Sequence, residues 1–194
     1  MPVNYKGEHW FLIVICYPML AVAKWDSSRD SISIFPKTRM IQRPCVLVFD
    51  SVAGGAAVAE FTSSVLIGYL QAEYAARKLS AASTSASTTS SSTAAVASAS
   101  ATEKSAAAIP DFRERLTRIV PTVPLQDGDV DCGVFLLQFA ESFFVDPIPD
   151  FNETFLDGKD PDDPGLLYWF TQEVIDEKRN QIKDLILRLA KTKA

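Results

Sequence analysis

Residues 134–144 are apolar on almost every side, with only Gln138, Glu141 and Ser142 forming one narrow polar stripe. A helix of that composition has no face to offer water and must be sunk into a core. Pro147 and Pro149 follow it and stop it. Whatever this chain folds into has to wrap other layers around that helix. Directly ahead of it runs Gln126-Asp127-Gly128-Asp129-Val130-Asp131-Cys132-Gly133, which places a cysteine at the helix mouth.

The covering layers can be read from the rest of the chain. Residues 10–16 and 45–49 are short continuous apolar runs, and both suit strands buried on two faces. Asp50-Ser51 and Gly54-Gly55 end the second run. Residues 60–79 carry Phe61, Val65, Leu66, Tyr69, Leu70 and Tyr74 at helical spacing. A short strand is expected within 116–123. Residues 171–189 form an amphipathic helix, expected to turn Val174, Ile175, Ile182, Leu185, Ile186 and Leu189 inward. Its acidic residues come early and its basic ones late, as the helix dipole prefers.

Two stretches read as irregular. Residues 25–43 form a long polar connection. Residues 80–108 are nearly all Ser, Ala and Thr, with too little apolar surface to offset the entropy of ordering. The expectation is a disordered insertion at about 80–108 inside one domain spanning 1–194. A long surface loop costs little, because closure entropy grows slowly with length.

Charge and cysteine usage narrow the function. The net charge is −5 with no basic run, which argues against a nucleic-acid partner. Cys16, Cys45 and Cys132 are odd in number and widely spaced, so neither a disulfide framework nor a zinc site is expected, and a reducing compartment fits. Residues 10–23 end in Ala21-Val22-Ala23 and resemble a secretory leader. Glu8 and His9 at the border and Pro18 inside the run count against that, and a buried strand explains the segment as well. It is also too short for a membrane span.

The chemistry centres on Cys132. Unpaired N–H groups and the positive dipole end at a helix mouth favour a thiolate, which is a nucleophile. Gly133 leaves room beside it. His9, the single histidine, opens the first strand and Asp50 closes the second. If those strands pair antiparallel, the two ends meet, and the carboxylate can hold the imidazole in one tautomer. Gln126 offers an amide that, with the Cys132 N–H, could cradle an oxyanion. Trp10 could wall a narrow channel that admits glycine. Each residue has a plainer alternative: a small core cysteine, a solvent-facing strand end, a turn aspartate, a solvated glutamine and a core-filling tryptophan.

Taken in order, His9-Trp10-Phe11-Leu12, Phe49-Asp50-Ser51, and Pro124-x-Gln126 ahead of Asp131-Cys132-Gly133 resemble the signature of the SUMO-specific (sentrin-specific, Ulp-type) cysteine proteases. The segment from Leu137 through Phe144 to Pro147, Trp169-Phe170, and Lys178-Arg179 resemble the branch that carries loop insertions and trims poly-SUMO chains. The resemblance implies an α/β (α+β) papain-like fold and cleavage after the C-terminal diglycine of SUMO. It implies His9 as base, Asp50 as orienter, Cys132 as nucleophile, Gln126 as oxyanion donor and Trp10 as the cover of the diglycine. The expected partners are SUMO and SUMO-conjugated proteins, with no nucleic acid and no membrane. A monomer is expected, located in the nucleus and secondarily in the cytoplasm, with no cofactor and no metal.

Two departures stand out. The family's catalytic domain usually has strands and a second tryptophan ahead of the histidine, so an N-terminally truncated domain is expected here. Leu125 also replaces a frequent glutamine, while Gln126 keeps its place. Two alternatives therefore stay open: an incompetent family member that only binds SUMO, and a protease for another ubiquitin-like modifier such as NEDD8.

Overall fold

The computed structural model describes residues 1–22, 43–54, 56–87, 109–160 and 162–192, with the backbone alone at 56–57 and 81–87. A four-stranded mixed sheet runs through it in the order β1 (Pro2–Tyr5), β2 (His9–Cys16), β3 (Cys45–Phe49) and β4 (Thr117–Ile119). β1 and β3 pair antiparallel to β2, and β4 pairs parallel to β3. The parallel step requires a crossover, and the helices α1 (Ala56–Ser87) and α2 (Phe112–Arg115) lie on it. After β4 come α3 (Cys132–Val145), α4 (Glu153–Leu156) and α5 (Gln172–Thr192).

Alternation along the strands gives the sheet two buried faces. Leu12, Cys16, Leu47 and Phe49 face one core, packed against Phe135 and Phe139 of α3, Leu156 of α4 and Ile175 of α5. Phe11, Ile13, Val46 and Val48 face the other, packed against Ala59 and Ile67 of α1 with Phe112 and Leu116. All five residues of β3 are buried, as a strand covered on both sides demands. The α/β class matches the reading of the sequence, while α3 does so only in part. Phe135, Leu136 and Phe139 are buried, but so are Gln138 and Ser142 of the expected polar stripe, where Gln138 Nε2 donates to Ser142 Oγ at 3.0 Å, and Leu137, Phe144 and Val145 are exposed.

β1 was not expected. It enters through a hairpin whose central residues Lys6 and Gly7 both have positive φ, the pattern of a type I′ turn. Glu8 N–H donates to the Tyr5 carbonyl at 3.0 Å and closes it. β1 thus supplies β2 with a pairing partner on the side away from β3.

Three expectations need correction or narrowing. α1 continues through Ser87, so residues 80–87 are helical and not loop. Alanine, the best helix former, alternates with serine there and lets the helix run on. Residues 88–108, and all but the last of the connection at 25–43, lie outside the described residues. On α1, Phe61, Val65 and Tyr69 are exposed, while the buried stripe is Ala59, Ser63 and Ile67, flanked by the partly buried Leu66, Leu70 and Tyr74. On α5 only Ile175 is fully buried and Ile182 is half-buried; Val174, Leu185, Ile186 and Leu189 are exposed. Ion pairs join its first half to α3, and among the described residues the apolar positions beyond Ile182 stay exposed.

Candidate active site

The antiparallel register of β2 on β3 places Leu12 opposite Phe49, so the start of one strand and the end of the other reach the same edge. There His9 Nε2–H donates to Asp50 Oδ1 at 2.8 Å. An ionised carboxylate only accepts, so this bond assigns the proton to Nε2 and leaves the Nδ1 lone pair free to take a proton. Asp50 Oδ1 also accepts from Val52 N–H at 2.9 Å, which fixes the carboxylate in place. The acid is buried and borders an apolar hollow of about 200 Å³ walled by Val52, Val120, Leu125 and Leu167. Few waters compete for it, which strengthens its bond to the imidazole.

Cys132 is the first residue of α3. Its thiol is buried and makes no hydrogen bond to the imidazole among the described residues; contact at this point is made by the neighbours of the two groups. A Cβ added to Gly133 would lie 4.0 Å from Trp10 Cδ1, so the residue after His9 rests against the residue after Cys132. Catalytic bonds are commonly long without substrate and tighten in the complex. Trp10 is 42% exposed, so it is a surface wall and not a core filler.

Gln126 is bound to the same corner through Ser51. Its N–H donates to the Ser51 carbonyl at 3.0 Å, and the Ser51 hydroxyl donates to Gln126 Oε1 at 2.9 Å. The amide nitrogen points the other way and donates to the Gly128 carbonyl with one of its two protons. Ser51 itself is almost fully buried. Inspection of the sequence gave it no role, although it stands in the Phe49-Asp50-Ser51 motif.

Asp131 and Arg179 were missed as well. The Asp131 carboxylate forms an ion pair with Arg179 on α5. One residue away, Lys178 reaches Glu141 further along α3 at 2.5 Å. Two consecutive cations therefore tie α5 to α3. The Lys178-Arg179 pair was visible in the sequence, but its targets lie on a helix some 40 residues earlier and no local spacing marks them.

Among the described residues, no group of three or more His, Cys, Asp or Glu side chains is arranged to hold a metal ion. None of the described helices is long and apolar enough to cross a membrane.

The His9–Asp50 pair and Gln126, anchored through Ser51, thus share one corner of an α/β scaffold, and the Trp10–Gly133 approach brings the mouth of the helix that Cys132 opens to the same corner. Residues 1–187 match the family model "Ulp1 protease family, C-terminal catalytic domain", and the chain belongs to that family, with its papain-like fold. "Sentrin-specific protease 7" of Homo sapiens is 28% identical across 97% of this chain, and the Mus musculus protein of that name 27% across 97%. "Probable ubiquitin-like-specific protease 2B" of Arabidopsis thaliana is 25% identical across the whole chain. The chain spans 17–18% of the length of these relatives.

Proposed function

We propose that this chain is the catalytic domain of a cysteine protease that cleaves after the C-terminal diglycine of SUMO, releasing it from conjugated lysines and from SUMO chains. The observation that carries it is the His9–Asp50 hydrogen bond at the mouth of the helix that Cys132 opens. The names of the relatives support SUMO as the modifier.

In this mechanism His9 Nδ1 takes the thiol proton and the Cys132 sulfur attacks the terminal glycine carbonyl. The oxyanion receives the Cys132 N–H and the second amide proton of Gln126. His9, held by Asp50, then protonates the departing lysine amine and a thioester remains. Water, deprotonated by His9, releases SUMO and restores the thiol. Trp10, exposed beside Gly133, is the wall that covers the diglycine in this reading. The same reading places the enzyme on SUMO conjugates in the nucleus.

Incubation with SUMO carrying a C-terminal electrophile tests the proposal. The expected product is a single adduct on Cys132, absent in Cys132→Ala and His9→Ala. Asp50→Asn should slow it by roughly two to four orders of magnitude, through loss of the reactive tautomer. Parallel probes of ubiquitin and NEDD8 should label far more slowly. An intact chain that no probe labels would refute the protease reading, and faster labelling by NEDD8 would refute SUMO as the modifier.

A further inference from the structure

An aspartate at a helix N-cap normally turns its carboxylate onto the N–H groups of the first turn. Asp131 holds the N-cap position of α3 but makes no such bond, and its backbone is αR at φ −101°, ψ −2° instead of the extended form a capping residue takes. Only its carbonyl serves the helix, accepting from Val134 N–H at 2.8 Å and Phe135 N–H at 2.9 Å. Among the described residues the Cys132 and Gly133 N–H groups find no acceptor. The Asp131 carboxylate is drawn instead to Arg179 on α5 as an ion pair, and its Oδ1 is sealed from solvent there without a hydrogen bond to any described residue.

We propose that Arg179 is a positioning residue for the reaction: it holds the Asp131 carboxylate off the helix mouth, so that the first-turn N–H groups stay open to the anion that forms at Cys132. The inference rests on Cys132 being the nucleophile. Without the guanidinium, the carboxylate would be free to cap Gly133 or Val134. That would cancel part of the positive helix end that faces the oxyanion and set a negative charge beside the thiolate. Both effects oppose the chemistry. Among the described residues, the charged and titratable groups brought to this mouth include His9 from β2 with Asp50 behind it, Asp131 from the preceding loop, and Arg179 from α5. Arg179 is the permanent cation of that set, and Lys178, paired with Glu141, keeps its stretch of α5 against α3.

The test uses the full chain with Arg179→Leu, Arg179→Lys and Asp131→Ala/Arg179→Leu. Alkylation of Cys132 by iodoacetamide at neutral pH, followed by peptide mass, requires no modifier substrate; Cys16 and Cys45, paired across β2 and β3 within the sheet, are internal controls. Arg179→Leu should lower the Cys132 alkylation and probe-adduct rates roughly three- to thirty-fold. Its melting temperature should hold or rise, because the helix regains a cap. Arg179→Lys should stay close to wild type, and the double variant should recover both rates. Wild-type rates in Arg179→Leu would overturn the proposal. A double variant as slow as the single would also overturn it, since the arginine would then act only by holding α5 in place. A wild-type chain that alkylates normally but gives no adduct with any of the modifier probes would refute the protease reading, while the alkylation series would still decide the role of Arg179.

Discussion

Cys16 and Cys45 show how far one residue type can diverge within a chain. They face each other across β2 and β3 and are both buried. The Cys16 thiol is pushed far above its ordinary range, first by its hydrogen bond with Cys45 and then by burial. These two are structural thiols, in contrast to Cys132 at its helix mouth. The sign of the pH effect follows from linkage. A thiol that stays neutral when folded but ionises when unfolded contributes stability that is complete below the ordinary thiol range and lost as pH rises through it. Urea unfolding across that range should show stability falling with pH, and Cys16→Ala should make the fall shallower. An unchanged slope in the variant would show that the thiol does not titrate differently in the two states.

At the scale of elements, α3, apolar on most sides, and α5, amphipathic, differ in what they bury. Phe139 of α3 stacks on Phe49, with ring centroids 5.7 Å apart, and meets Phe135 and Phe170 edge-on or tilted. α5 commits Ile175 to that core, while Leu185 and Ile186 stay in solvent. Ile175→Ala should therefore cost about 2–5 kcal/mol of stability. Leu185→Ser and Ile186→Ser should each stay within about 0.5 kcal/mol, as surface changes do. Chemical unfolding of the three variants gives the comparison. Equal losses would mean that the far end of α5 is packed after all. Periodicity marks an amphipathic helix correctly but cannot say how much of its apolar face finds a partner.

At the scale of the whole molecule, the sheet separates two cores that share the backbone of β2 and β3 but few side-chain contacts. Ile67→Val on one side and Ile175→Val on the other should each cost about 0.5–1.5 kcal/mol. Combined, they should add to within about 0.5 kcal/mol, since distant sites without shared partners are independent. A larger coupling, measured by a double-mutant cycle, would show that the sheet transmits strain between its faces. Much was legible in the chain itself. The helix α3, the doubly buried β3, the cysteine at a helix mouth, and His9 and Asp50 at strand ends all follow from composition and period, which are local properties; which side of α3 is buried does not, since Gln138 and Ser142 face inward and Leu137 and Phe144 outward. The hairpin that brings in β1 was passed over, although Lys6-Gly7 is a turn signal, because a short polar strand has no apolar run to mark it. Other features depended on distance between remote residues. The His9–Asp50 bond closes across 41 positions. Ser51 meets Gln126 across 75. Arg179 withdraws the Asp131 carboxylate from the helix it would otherwise cap. Side-chain chemistry and hydrophobic period determined which elements form and which groups can react. Only packing of the chain decided which helix faces are covered and which charges meet, because those contacts depend on register and docking that no local window contains.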